Sequence, residues 1–355
     1  MNFGNDNKTA LQAKFDAQKI AFGPIMFQAA RSLQRLGILE IIKKQRNKGI
    51  LINDIAEGLK LPVYGIKVLL EAGLSMELVR VENDLFFLTK TGFFMLSDPL
   101  TQVNMNFVHD VNYEGFHSLE ESIVNEKPVG LKVFGDWDTV YEALSQLPAK
   151  VQKSWFEFDH YYSDNAFPEI LPVLFKNNPK KLLDVGGNTG KWAIHCGKAN
   201  QEIEITILDL PGQLEKARKN IDANNLTDRV KGIPLNLLDH SIPFPTGFDI
   251  VWMSQFLDCF SQEDILQLLI RAKNSIKIDG AIYILETYWD KQKYEASTYS
   301  LHATSLYFTC MANGCSQMYH SGDMLAIINK AGLYVNEEIH DIGVSHSLYI
   351  CKIKE

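Results

Sequence analysis

The sequence has 355 residues, enough for about two domains, and its 46% hydrophobic and 22% charged residues are the balance of an ordinary globular protein. The formal net charge of -8 argues against a nucleic-acid partner, because neutralising phosphates takes a basic face. Met1 to Lys14 is polar and charged, without an apolar run after a basic start, and no stretch is long and apolar enough to span a bilayer, so neither a secretory signal nor a membrane span is expected. The five cysteines, Cys196, Cys259, Cys310, Cys315 and Cys351, contain no Cys-x-x-Cys pair and fit free thiols in a reducing cytoplasm better than disulfides or zinc.

Residues 9–45 read as helix, with apolar positions from Leu11 through Ile41 at roughly helical spacing and a break at Gly23-Pro24. Residues 50–95 resemble a winged helix. Asp54 to Leu59 makes a short helix, and Pro62 to Ala72 makes an amphipathic one with Gly73 placed to end it. Leu78 to Leu88 alternates like a two-stranded wing turning at Asn83-Asp84, and Thr89 opens another helix. A winged helix invites a DNA-binding reading. Six acids against four bases across this segment leave a local net charge of -2, and Val63 to Ala72 carries only Lys67 as a base. A structural role, with residues 1–105 forming a helical domain, is therefore expected. Apolar helical surface at a chain end is commonly covered by a partner, so residues 10–100 are expected to form a homodimer.

Residues 106–170 are expected to be a mostly helical linker rich in aromatics (Phe116, Phe134, Trp137, Tyr141, Trp155, Phe158 and others), some of them lining a pocket for a flat apolar molecule. From Lys180 the pattern changes. Short apolar runs at 181–185, 203–209, 230–235, 248–254 and 280–286 alternate with helical segments at 191–199, 212–224 and 262–276. That alternation predicts an α/β domain over 171–355 with a mostly parallel sheet. A helix over 321–331, a strand over 334–341 and a last strand over 345–353, antiparallel to its neighbours, complete it.

The sharpest motif is Leu182-Leu-Asp-Val-Gly-Gly-Asn-Thr-Gly190, between a strand and a helix. Glycines there allow close backbone approach, and the amides at the helix start attract polar groups. Asp209 ends the next strand, 25 residues after Asp184, where an acid can take both ribose hydroxyls of an adenosine ligand. The dinucleotide pattern Gly-x-Gly-x-x-Gly is not met, since Asn188 occupies the middle position. Asp184 suits an ammonium group better than a pyrophosphate, which favours S-adenosylmethionine over a nicotinamide dinucleotide.

These stretches, with Leu208-Asp-Leu-Pro211 and Phe248-Asp-Ile-Val-Trp-Met-Ser254, resemble the S-adenosylmethionine-dependent O-methyltransferases of small phenolic molecules, the plant caffeate and flavonoid type and their bacterial secondary-metabolite relatives. The resemblance runs along nearly the whole chain and is most specific over 180–265. It implies a Rossmann-like class I methyltransferase sheet behind a winged-helix dimerisation domain. It further implies that Asp184, Gly186, Gly187 and Gly190 hold the methionine part, Asp209 the ribose, and Leu210, Asn236 and Leu237 the adenine, with Ser254 also at the cofactor site. Asn236 stands where the family has an acid.

The catalytic stretch departs from the family pattern. A Leu-His-Asp-Trp motif is expected, and the chain has Leu257-Asp258-Cys259-Phe260. Asp258 thus stands in place of the histidine base and Cys259 in place of its aspartate. A second family acid falls at Met318. A phenol ionises near a pKa of about 10 and a free aspartate at about 3.9, so Asp258 suits the task only if burial raises it. Three accounts stay open: Asp258 is the base; His320, His302 or Tyr319 replaces it; or proximity suffices for an acidic phenol or an electron-rich ring carbon, the last giving C-methylation. A chain that binds the cofactor without methylating is the remaining alternative. Asp258 is equally readable as a cap before the helix at Gln262. Scattered His109, His117 and His160 lack metal-ligand spacing, so no metal is expected.

Overall fold

The computed structural model describes residues 4–354. Residues up to His109 form one compact unit and residues from Asp110 onward a second.

In the first unit, α1 (Ala10–Ala21) is capped at Thr9 by a reciprocal bond with Gln12. The chain breaks at Phe22, and Pro24 starts α2 (Gly23–Arg35). A second break, which apolar spacing did not reveal, falls at Leu36-Gly37, where Gly37 turns left-handed before α3 (Ile38–Gln45). α4 (Ile52–Leu59) and α5 (Val63–Ser75) follow. Gly73 does not end α5. It is buried inside the helix, where an added Cβ would stand 3.2 Å from both Leu33 and Val79, so its smallness serves close packing. β1 (Val79–Glu82) and β2 (Leu85–Leu88) pair antiparallel around Asn83 and Asp84, both at positive φ. That is the primed hairpin turn matching strand twist. Thr89 then caps α6 (Lys90–Ser97), and α7 (Pro99–Phe107) follows. Leu33, Ile38, Leu39, Ile42, Ile55, Ile66 and Leu70 make the core. α1 contributes no buried residue to it.

The second unit takes in the aromatic segment. Short turns with α8 (Leu119–Asn125) and α9 (Val140–Ala143) lead to α10 (Ala149–Asp164) and α11 (Phe167–Leu174). The α/β alternation then unfolds in chain order: β3 (Lys181–Val185), α12 (Lys191–Ala199), β4 (Glu204–Asp209), α13 (Pro211–Ala223), β5 (Val230–Pro234), β6 (Phe248–Ser254), α14 (Gln262–Lys273) and β7 (Ile276–Glu286). α15 (Glu295–Tyr307), α16 (Ser321–Lys330), β8 (Leu333–Ile342) and β9 (His346–Ile353) close it. The predicted helix over 262–276 stops at Lys273 because Ile276 already pairs with Phe248, so β7 starts earlier than expected, with an irregularity in its register.

The sheet order is β5-β4-β3-β6-β7-β9-β8. Strands β3 to β7 are parallel, and β9 pairs antiparallel with both β7 and β8. Alternate residues feed two cores. Leu183, Val251 and Ile282 meet α14 and α16 on one face, while Leu182, Ile250 and Trp252 meet α11, α12 and α13 on the other. Burying each such side chain contributes about 1.5–3 kcal/mol. Among the described residues, no helix is long and apolar enough to cross a membrane.

Candidate active site

Chain order reverses between β3 and β6, the place in an open parallel sheet where loops at the strand ends part and leave a crevice. Residue pairing places Asp184 beside Ile207 and Trp252, and Ser254 beside Leu285. Asp184, Asp209, the Gln255–Phe260 loop and Glu286 therefore sit along one edge of the sheet.

The glycine loop is shaped by sterics. Gly186 sits at φ +75°, and a Cβ there would lie 2.3 Å from the Phe256 ring. A Cβ on Gly187 would meet Asp184 Oδ2 at 2.6 Å and Ile207 Cγ2 at 2.7 Å. Asn188 takes positive φ in the stead of glycine, as asparagine tolerates. Asp209 fastens this loop: its Oδ2 accepts from the Asn188 amide at 2.7 Å and its Oδ1 from the Leu210 amide at 2.7 Å. Burial raises the Asp209 carboxyl, and those two amides oppose the rise. Asp184 is 2% exposed, with Oδ2 lacking any partner. Burial and then the charge of Asp209 push it up to about 8.

This arrangement fits S-adenosylmethionine. An ammonium group would supply the donor that the buried Asp184 Oδ2 lacks, and side chains in place of Gly186 and Gly187 would collide with Phe256 and Asp184. Beyond β5, the Asn236 side chain accepts from the Leu238 amide at 3.0 Å, and Leu237 is buried below it. Ser254 ends β6, half-buried, next to Gln255, whose Oε1 is buried and unpartnered.

At the other end of this edge, Leu257–Cys259 makes a single 3-10 turn. Asp258 is not the helix cap. Ser261 caps α14, accepting from the Asp264 amide at 3.2 Å, while Asp258 is buried. The Cys259 thiol donates to Asp258 Oδ1 at 3.5 Å. Burial outweighs that bond and raises Asp258 to about 6. The sequence reading missed Glu286, the last residue of β7. Its Oε1 accepts from the amides of Phe256 and Leu257 at 3.0 and 2.8 Å, which holds the start of the Phe256–Phe260 loop in place. Burial and the charge of Asp258 press Glu286 well above the usual carboxylate range. An acid closing the apolar run Ala281–Leu285 was the same signal that marked Asp209.

His320 caps α16, its Nδ1 accepting from the Gly322 amide at 2.9 Å, with its ring edge against Trp289. His302 also meets Trp289. The Tyr319 hydroxyl donates to the Phe260 carbonyl at 2.6 Å, so Tyr319 joins the Asp258 loop and the histidines lie around Trp289. The Met318 sulfur accepts from the Thr287 hydroxyl at 3.4 Å. On α10, Asp159 keeps 30% of its side-chain surface open, yet burial, then the charges of Asp258 and Asp164, raise it to about 7. No group of three metal-ligating side chains gathers among the described residues.

Comparison with known proteins bears on the domains and the fold. The Dimerisation2-like domain family matches residues 14–86, and the O-methyltransferase domain family matches residues 171–334. An L-tyrosine C(3)-methyltransferase of Streptomyces lavendulae is 26% identical over 272 residues, 76% of this chain and 73% of that protein. A demethylspheroidene O-methyltransferase of Cereibacter sphaeroides is 23% identical over 268 residues, covering 75% and 69%. Among solved structures, the S-adenosylmethionine-dependent methyltransferase SibL in its apo form superposes with a TM-score of 0.73 at 21% identity, over 95% of this chain and 98% of that one. With motif, topology and both domain matches in the same order, the chain carries an O-methyltransferase domain over residues 171–334 behind a Dimerisation2-like domain over residues 14–86.

Proposed function

We propose that the protein methylates a small phenolic molecule and that Asp258 takes the phenolic proton. The observation that carries this is a buried carboxyl raised to about 6, at the sheet edge that also bears Asp184 and Asp209, without an ion-pair partner among the described residues. Moving a proton from a phenol of pKa about 10 to a group near 6 costs about 5 kcal/mol, against about 8 for an unshifted aspartate. Burial thus removes about a third of the obstacle. When bound, S-adenosylmethionine supplies an electrophilic methyl group. Asp184 holds its ammonium, Gly186, Gly187 and Gly190 give its methionine part room, Asp209 takes its ribose, and Leu210, Asn236, Leu237 and Ser254 line the rest. Glu286 positions Asp258 by fixing the amides before it. His320, whose Nδ1 is committed as a cap, supports the neighbouring wall.

A second reading is favoured by one observation: the tyrosine relative above methylates a carbon by its name, and so does a bacteriochlorophyllide d C-20 methyltransferase of Chlorobaculum tepidum, 21% identical over 224 residues. Deprotonation by Asp258 serves that outcome equally, because a phenolate is nucleophilic at its ortho carbons as well as at oxygen. Incubation with carbon-13 methyl-labelled cofactor and a panel of phenols decides, since the product's carbon shift separates a methoxy group from a ring methyl. No labelled product from any phenol would overturn the proposal and favour a cofactor-binding protein without turnover.

The chain further fits a homodimer through residues 10–100. α1 buries nothing in its own unit and leaves Leu11, Phe15 and Ile20 more than half exposed. Sedimentation at micromolar concentration should give twice the chain mass, and a monomer would refute it. The five free thiols fit a reducing cytoplasm.

A further inference from the structure

α14 lies against the sheet with Ile265, Leu268, Leu269 and Ala272 buried in its core. It is also fastened at two points to the loop after β5. Near its start, His240 Nε2 stands 2.9 Å from Asp264 Oδ1. A carboxylate oxygen accepts and His240 Nδ1 has no partner, so Nε2 carries the hydrogen. Further along, Arg271 Nη1 donates to the Leu237 carbonyl at 2.7 Å, with the guanidinium 4.1 Å from the centre of the Phe244 ring. From Asp264 to Arg271 is two turns of helix, so both fasteners share one face, about 10 Å apart.

Both fasteners hold the run that carries Asn236 and Leu237. That run is braced from within: Asn236 Oδ1 accepts from the Leu238 amide, the Asn236 carbonyl from the Asp239 amide and the Leu238 carbonyl from the His240 amide, each at 3.0 Å. Arg271 is 7% exposed, and its Nε and Nη2 have no partner. A cation buried with so few bonds is costly, and an apolar chain would fill the space beside Phe244 without that cost. What the arginine adds is the bond to Leu237.

The two fasteners differ in what lies behind them. Asp264 is shared: its Oδ2 accepts from the Ser261 hydroxyl at 2.5 Å, and its amide donates to the same hydroxyl at 3.2 Å. Ser261 directly follows the loop that bears Asp258. The start of that loop is held by Glu286, and the carbonyls of Cys259 and Phe260 accept from Asn313 Nδ2 at 2.7 Å and from Tyr319 at 2.6 Å. Of these anchors, Asp264 is the one that also reaches the loop after β5.

We propose that His240 and Asp264 are positioning residues, a link through which a bound cofactor steadies the Asp258 loop, and that Arg271 positions the adenine end alone. This rests on the reading above of Asn236 and Leu237 as the residues that hold the adenine. A ligand on those two fixes the run from Asn236 to His240. The run fixes the imidazole, and the imidazole holds Asp264 on Ser261. The loop that takes the proton is thereby set once the methyl donor is in place.

The experiment is amide hydrogen exchange on the full chain, read over residues 259–265, without ligand and at saturating S-adenosylhomocysteine, the demethylated cofactor. Calorimetry fixes saturation for each variant. In the wild type the ligand should slow exchange there by about threefold or more, as a local opening becomes rarer. His240→Ala should lose that slowing even when saturated. His240→Gln, whose side-chain amide can still donate to Asp264, should regain most of it. Arg271→Met should weaken S-adenosylhomocysteine about 10-fold, the scale of a lost hydrogen bond from a charged group, and keep the slowing at saturation. A His240 that only supports the fold would speed exchange equally with and without ligand, so slowing that persists in saturated His240→Ala overturns the proposal. A wild type that binds S-adenosylhomocysteine without any slowing overturns it too, and that result does not depend on how a variant folds. Failure of the wild type to bind S-adenosylhomocysteine would instead strike at the cofactor reading.

Discussion

Two pairs of carboxyls sit on one edge of the same sheet and are built alike. In each, one acid spends itself on backbone amides: Asp209 on Asn188 and Leu210, Glu286 on Phe256 and Leu257. Beside each lies a second buried acid with a raised pKa, Asp184 near about 8 and Asp258 near about 6. The difference is in what surrounds them. The Asp184 end is bounded by backbone, by glycines that tolerate no Cβ. The Asp258 end is bounded by side chains, Phe256, Phe260, Cys259 and Tyr319. An end made of backbone admits few residue types, and an end made of side chains admits many.

The largest expected effect tests the backbone end. Gly187→Val forces a side chain against Asp184 Oδ2 and Ile207, and S-adenosylhomocysteine affinity should fall about 100-fold or more, with overpacking of this kind costing about 1–3 kcal/mol and the lost Asp184 contact adding to it. Calorimetry reads it, and unchanged affinity would mean the ligand does not use this loop. Asp258→Asn should leave that affinity within about twofold and lower kcat by about 100-fold or more, the usual worth of a general base. A variant with wild-type kcat would remove Asp258 from the chemistry and leave proximity as the account.

Titration sharpens the contrast. With a folded pKa near about 8, Asp184 is largely protonated in the free protein at neutral pH. An ammonium partner needs it ionised, so S-adenosylhomocysteine affinity should rise by up to about 10-fold per pH unit as pH increases toward about 8, and the slope should vanish in Asp184→Asn. For stability of the free protein the sign is opposite. A raised acid contributes fully below its unfolded value of about 3.9, and that contribution is lost as pH rises through about 8. Smallest is Glu286→Gln. The amide oxygen can still accept from Phe256 and Leu257, so kcat should fall by no more than about 10-fold, and the lower limb of the kcat pH profile should stay in place, because Glu286, held well above the usual carboxylate range, is already neutral where Asp258 ionises. A loss as large as that of Asp258→Asn would give Glu286 a direct part in the reaction.

Sequence legibility followed the same division. Asp184, the glycines and Asp209 were readable because strand, turn and helix leave only those types room, and the hairpin at Asn83-Asp84 was readable for the same reason. The parallel sheet showed in apolar runs that feed two cores. Gly73 misled, because a glycine that ends a helix and one that lets two elements approach look identical in sequence. Glu286 and Asp159 went unnoticed, one at the end of a strand and the other inside an aromatic run, since the burial that sets their chemistry comes from elements far away in the chain. The turn at Leu36-Gly37 was hidden by apolar spacing that continues across it.

The position of β9 has a consequence for how this protein is made. His346–Ile353 lies between β7 and β8 and shields the open side of Glu286's strand. Of the nine strands among the described residues it is synthesised after the other eight, yet it is an inner one. Until it docks, β7 presents a row of unpaired amides and carbonyls, the kind of edge that recruits other chains. The nascent protein therefore holds the wall that carries Glu286 unfinished until this strand docks, and chaperone demand should peak just before β9 emerges.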